Sequence, residues 1–234
     1  MRRRDISNYN VFDTTPMVLN DRQIQKYSEK GMMIAPYKSS LIREVDDRRL
    51  VSFGQSSYGY DIRLSSADFR VFESPSRLSV FLSRIGLGKL FHLYRMLTKG
   101  KLVIDPKNFD DRIANNVCFE EDATGKFFLL SPYTYALGVS MERFQMPRNV
   151  TGICNGKSTY ARSGLIVNVT PLEAGWVGYL TLEFFNATPY TMKLYAEEGV
   201  AQIVFLEGEP CSISYSDRAG KYQNQSDQVV LAKV

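Results

Sequence analysis

From Val51 onward the chain is a succession of short segments in which apolar and polar residues alternate. They read "YGYDIRL", "FRVF", "LVIDP", "VCFEE", "KFFLL", "YALGVSMERF", "GLIVNV", "GYLTLEFF", "MKLYA" and "AQIVFLE", separated by Gly, Pro, Asn and Asp. Alternation with β-branched and aromatic enrichment is the mark of strands that bury one face. Many short strands at close spacing predict an all-β fold with a few short helices: a sandwich, a jelly roll or a small barrel. At 234 residues, 44% hydrophobic and 12% aromatic, the chain has material for one well-packed domain. The clearest helical pattern is "LNDRQIQKYSEKGMM", with Asn20 as N-cap, Ile24 and Tyr27 on one face and Gly31 at the stop.

Two stretches fall outside this pattern. Residues 1–18 have no periodicity and read as an N-terminal extension. Residues 74–104, "SPSRLSVFLSRIGLGKLFHLYRMLTKGKLVI", carry six Lys or Arg and no acid. Leu78, Phe81, Leu82, Ile85, Phe91 and Tyr94 share part of a helical face, which Gly86 and Gly88 weaken or split. One reading is a basic amphipathic element for a membrane surface or nucleic acid. The other, favoured because apolar helix stripes usually serve packing, is a helical insertion against the barrel or another subunit.

Composition removes several function classes. Cys118, Cys154 and Cys211 are scattered and odd in number, so no disulfide framework or C-x-x-C pair is present. The start, "MRRRDISNYNVFD", lacks the apolar stretch of a secretory signal, and no run approaches the ~18 apolar residues of a membrane span. A cytoplasmic, reduced setting without membrane contact is expected. A net charge of +4 suits anionic ligands without calling for nucleic acid. The single histidine, His92, cannot supply the H-x-E with P-C-x-x-C of zinc nucleobase deaminases, and with three scattered cysteines it makes a poor zinc set.

The stretch "TGICNGKSTYARSG", residues 151–164, contains a lure. Gly156-Lys157-Ser158 ends like a phosphate-binding P-loop. The glycine needed five residues earlier is Thr151, and the sequence beyond Lys157 turns to strand periodicity rather than to a helix facing phosphates. The P-loop is rejected on both grounds. Lys157, Ser158, Thr159 and Arg162 still place two cations and two hydroxyls within six residues, a workable phosphate set or an ordinary solvated turn.

Glu183 is the other conspicuous residue, a carboxylate among Leu182, Phe184 and Phe185. It lies either on a solvated strand face, in a structural ion pair, or in an apolar setting suited to general-base work, with Arg162 as a natural partner. The tail "SYSDRAGKYQNQ" offers Tyr215, Lys221, Tyr222 and several glutamines, able to close over a ligand or to fray.

Taken in order, "SSYGYDIR", "IDPKNFD", "GKSTYARSGLIVNVTPLE", "LTLEFFN", "EGVAQIVFLE" and "SYSDRAGKYQNQ" closely resemble the dCTP deaminases of the dUTPase-like superfamily. The likeness spans about residues 19–75 and 102–234, one domain over 19–234 interrupted by the insertion at about 76–100. It implies a distorted β-barrel or jelly-roll subunit forming a homotrimer with active sites between subunits. It implies zinc-independent hydrolysis of dCTP to dUTP and ammonia, feeding dUMP and dTTP synthesis, with Mg²⁺ carried by the triphosphate and no direct protein ligand for the metal. Position by position, Glu183 matches the catalytic glutamate. Lys157, Ser158, Thr159, Tyr160, Ala161 and Arg162 match the nucleotide-binding loop, with Ser158 and Arg162 beside the catalytic water and phosphates. Thr181 and Leu182 match the base-binding strand. Gln202, Tyr215, Lys221, Tyr222 and Gln225 match ligand contacts, the last three in a tail (214–234) that closes over the triphosphate. dTTP is a candidate inhibitor.

Bifunctional deaminase–dUTP pyrophosphatases resemble one another in an aspartate within a segment such as "IDPG" or "IDAG". This chain has "PLEAGW" and no aspartate from Ser163 to Asn186, with Glu173 the only acid near that spot. A deaminase that stops at dUTP is therefore expected. The bifunctional enzyme is the alternative, and a non-catalytic nucleotide sensor is a third class that the intact Glu183 and loop argue against.

Overall fold

The computed structural model describes residues 18–72, 87 and 104–234. Apart from Val18 and Leu87, the expected extension and insertion lie outside the described residues, as does His92. Helix α1 (Asp21–Gly31) forms where the sequence predicts it. The Asn20 side chain accepts from the Gln23 N–H at 3.1 Å, and the Gln23 side chain accepts from the Asn20 N–H at 3.0 Å, closing a capping box. The left-handed residue at the other end is Met32 (φ 54°), one position beyond the glycine expected to stop the helix. Its N–H returns to the Ser28 carbonyl, so the exit is hydrogen-bonded even without glycine at the cap.

Apart from a 3-10 turn at Asp111–Ile113, the elements that follow are mostly strands: β1 (Ile34–Ala35), β2 (Leu41–Val45), β3 (Arg48–Gln55), β4 (Tyr60–Phe72), β5 (Ala114–Asn116), β6 (Glu120–Asp122), β7 (Gly125–Leu130), β8 (Tyr135–Gln145), β9 (Val150–Gly156), β10 (Leu165–Asn168), β11 (Val177–Asn186), β12 (Met192–Tyr195) and β13 (Gly199–Glu207). A single helical turn, α2 (Ser158–Ala161), follows β9. The fold is all-β. Among the described residues no helix is long and apolar enough to cross a membrane.

Ten strands make one sheet, with the order β10-β11-β8-β4-β13-β9 along its main path. Strand β4 turns the corner. Tyr60–Arg63 pair with β13, and after a register slip between Leu64 and Phe69 the strand continues along β8. The two ends of the sheet then meet: Gly152 on β9 and Leu172 beyond β10 exchange both backbone hydrogen bonds at 2.9 Å. The result is a curled sheet whose ends touch at one isolated bridge, and not the closed barrel ladder that a barrel reading would require. A second sheet, β12-β7-β6, caps one side.

Phe69 on β4 stacks on Phe128 of β7 at 4.3 Å and stands 6.0 Å from Phe184 of β11, joining the two sheets through a core of fully buried rings. Strand β11 alternates without a fault from Val177 to Asn186, even positions buried and odd positions part-exposed. That parity places the functional face.

Candidate active site

Leu180, Leu182 and Phe184 enter the core, so Tyr179, Thr181, Glu183 and Phe185 share the outer face of β11. Glu183 lies opposite Asn168 of β10 and opposite Leu137 of β8. The Asn168 side-chain amide donates to Glu183 Oε2, and no partner holds Oε1 among the described residues. Tyr135, opposite Phe185, stands edge-on to Phe72 at 4.9 Å and 88°. Burial, and then the charge of Glu183, push its phenol up to about 12, so it stays a neutral hydrogen-bonding group.

The C-terminal tail is laid along this face. Tyr179 N–H donates to the Gln225 carbonyl at 3.1 Å, and Asn224 N–H to the Val177 carbonyl at 2.8 Å. The Trp176 indole donates to the Tyr222 carbonyl at 2.8 Å, and Tyr222 N–H to the Tyr215 hydroxyl at 3.0 Å. Thr181 Oγ1 accepts from Gln225 Nε2 and from Val230 N–H, each at 3.4 Å. Val229 N–H is held at 2.9 Å by Asp68, itself almost wholly buried. Gly178 makes the contact feasible. Its φ is 149°, and a Cβ there would lie 2.8 Å from the Gln225 nitrogen. At the start of the tail, Asp217 takes the Arg148 guanidinium at 2.7 Å and the Ser214 N–H at 2.8 Å. The Arg148 bond first, and the Ser214 bonds next, hold the Asp217 carboxyl down at about 2.

Sheet face and tail enclose a cleft of about 890 Å³. One wall is apolar, from Phe72, Ile104, Phe109, Tyr135 and Leu137; the other is Val169 to Glu173 with Trp176. Thr181 and Glu183 lie between, and Tyr215, Lys221, Tyr222 and Gln225 line the tail side. Glu173 belongs to this cleft, but its carboxylate is bonded by Arg218. Chemically the cleft joins a carboxylate with one oxygen unpartnered among the described residues, flat apolar walls and a cationic, hydroxyl-bearing end. These suit a planar base attached to an anionic group.

Thus Thr181, Glu183, Tyr215, Lys221, Tyr222 and Gln225 come together as the sequence predicts. The other predicted residues do not reach this cleft within one chain. Lys157 is ion-paired with Asp61 of β4, and both side chains are almost wholly buried. Gln202 of β13 donates to the same Asp61 at 2.9 Å. Tyr160 is core, its hydroxyl accepting from Tyr195 N–H at 2.9 Å. Leu182 is fully buried and turns its side chain away from Glu183. Ser158, Thr159, Ala161 and Arg162 are exposed on the turn after β9. Arg162 is not the partner of Glu183 within the chain. Gly164 is bonded to Ala187, past the end of β11 and four strand residues (~13 Å) from Glu183, and Arg162 precedes Gly164 on the turn. One ground for rejecting a P-loop also changes: a helical turn does follow Lys157, although its four residues give way at once to β10.

Sequence reasoning missed Asn168, Tyr135, Trp176 and Asp61. Asn168 carried a signal, because asparagine is depleted in strands and here interrupts "LIVNV". The chain's one tryptophan beside two glycines was a weaker signal. Tyr135 and Asp61 carried none beyond their strand positions.

Among the described residues no three His, Cys, Asp or Glu side chains gather as a metal site would require. The family model for dCTP deaminase-like domains matches residues 79–208. A dCTP deaminase from Laribacter hongkongensis (strain HLHK9) is 41% identical over 209 residues, covering 89% of this chain and 95% of that one. One from Neisseria meningitidis (serogroup B, strain MC58) is 42% identical over 210 residues, with the same coverage. Among solved structures, a 2'-deoxycytidine 5'-triphosphate deaminase from Agrobacterium tumefaciens is 18% identical with a TM-score of 0.49, covering 83% of this chain and 49% of that chain. The chain belongs to the dCTP deaminase-like family.

Proposed function

We propose that this protein hydrolyses dCTP to dUTP and ammonia, with Glu183 moving the protons. The observation that carries this reading is the position of Glu183, fixed by Asn168 through one oxygen in a cleft with apolar walls and a lysine at its tail side. Close relatives over nearly the whole chain are dCTP deaminases.

The chemistry follows from two deficits. Water is a weak nucleophile, and C4 of cytosine is a poor electrophile until N3 is protonated. Glu183 takes a proton from water as the water oxygen bonds to C4, and passes it to N3. The resulting C4 bears a hydroxyl and an amino group. Glu183 then carries the hydroxyl proton to the amine, the C4–N4 bond breaks, ammonia leaves, and a C4 carbonyl forms. One carboxyl group serves both halves because one proton is taken up and returned twice. Mg²⁺ arrives as part of the dCTP complex, and no zinc enters the reading. The dUTP produced feeds dUMP and dTTP synthesis. dTTP has the sugar and triphosphate without a 4-amino group, and is the natural candidate for an inhibitor.

The exposed turn of Ser158, Thr159 and Arg162 lies outside the cleft of its own chain. We place it in the cleft of a second copy within a homotrimer, where Ser158 and Arg162 bind the water and the nucleotide. The alternative, a bifunctional enzyme that also cleaves dUTP, gains from the presence of Glu173 in the cleft and loses from its bond to Arg218.

Incubation with Mg²⁺ and each of dCTP, dUTP, CTP and dCMP, with products separated by chromatography, tests the proposal. dUTP and ammonia from dCTP are expected. Pyrophosphate from dUTP would establish the bifunctional reading instead, and dCTP left intact would refute both. Zinc chelation followed by restored Mg²⁺ should leave the rate unchanged; lost activity would bring back a zinc mechanism.

A further inference from the structure

Around the tail tyrosines the charges are unevenly matched. Arg148 is paired with Asp217 and Arg218 with Glu173. Lys221 and Lys233 have no carboxylate at ion-pair distance among the described residues, yet both ammonium groups stand over the Tyr222 ring, 5.3 and 5.4 Å from its centroid. Lys233 is held there by its backbone. Its N–H donates to the Tyr222 hydroxyl at 3.3 Å, and that hydroxyl donates to its carbonyl at 3.4 Å. Tyr222, Lys221 and Ala232 all line the cleft that contains Glu183.

Two cations at one aromatic ring are each attracted to its π-system, and they set two positive charges beside the same residue of the tail. A single phosphate group engages one of them, whereas a polyphosphate chain is long enough to draw on both. We propose that Lys233 is a second ligand for the polyphosphate chain of the nucleotide, acting with Lys221 at Tyr222. This rests on the nucleotide reading of the cleft and adds a residue that selects triphosphate over monophosphate. A glutamine at 233 removes the charge and keeps the backbone bonds to Tyr222.

The test is titration calorimetry with tripolyphosphate, dCTP and dCMP on the Glu183→Gln protein, with and without Lys233→Gln. Lys233→Gln should weaken tripolyphosphate and dCTP roughly 5- to 10-fold and dCMP by less than about twofold. Lys233→Arg should restore both affinities. In the active enzyme, KM for dCTP should rise by the same factor with kcat unchanged. Unchanged tripolyphosphate and dCTP affinity in Lys233→Gln would overturn the inference while leaving deamination intact. A protein that binds tripolyphosphate through Lys233 yet converts no dCTP would support the inference and sink the deaminase reading.

Discussion

Glu183 does its proposed work with one oxygen tied to Asn168 and the other without a partner among the described residues. Glu183→Gln keeps the shape and removes the base, so kcat should fall roughly 10²- to 10⁴-fold while the protein still folds and binds dCTP. Near-normal deamination by that variant would contradict the mechanism. Asn168→Ala leaves the carboxylate in place but free to rotate. It should lower kcat roughly 10-fold and leave KM within about twofold, which steady-state kinetics would show. A large rise in KM with kcat intact would mean that Asn168 binds substrate rather than orients Glu183. An acid between Leu182 and Phe184 made Glu183 conspicuous in the sequence, but the pattern alone left a solvated face and an ion pair open, and the resemblance alone pointed to catalysis. The side chains of Leu182 and Tyr160, both expected among the substrate contacts, are buried, because a motif match gives positions, not directions. Strand parity puts Leu182 on the opposite face from Glu183, and it is fully buried.

At the scale of elements, β11 and the tail form one unit. Trp176, the only tryptophan, donates to the Tyr222 carbonyl and so reports whether the tail is docked. Asp217 anchors the tail's first turn through Arg148 and Ser214. Its carboxyl is held below the ordinary 3.8, at about 2, so the anchor's contribution is complete above about pH 4 and is lost as pH falls toward 2. Trp176 emission should therefore stay constant from neutral pH to about 4 and move to the red below that. Asp217→Asn should move it already at neutral pH and raise KM for dCTP. A wild-type transition near pH 6, or no change in the variant, would show that another group holds the tail. The strands from β7 onward were legible from alternation, apart from β9. The β2–β3 hairpin was not, because "REVDDRR" buries few side chains and its turn is made by Asp46 and Asp47 with positive φ rather than by glycine. Strand β9 was missed because its end looked like a phosphate loop. The two segments "YGYDIRL" and "FRVF" proved to be one strand that bends between partners.

For the whole molecule, residues that the resemblance assigns to one site lie apart in one chain. Glu183 and the tail line one cleft, while Ser158 and Arg162 sit on an exposed turn past the end of β11. A fold legible from alternation gives no hint of this separation, because alternation describes a chain and the proposed site needs two. The assembly is therefore the central claim, and complementation tests it directly. Glu183→Gln and Arg162→Ala should each be inactive as pure proteins. Co-refolded in equal amounts, they should form mixed trimers in which some sites combine an intact Glu183 with an intact Arg162 from the neighbouring copy, regaining roughly a quarter of wild-type dCTP deamination under random assembly. A mixture as inactive as its components, with mixed trimers demonstrated by mass, would contradict a site shared between subunits.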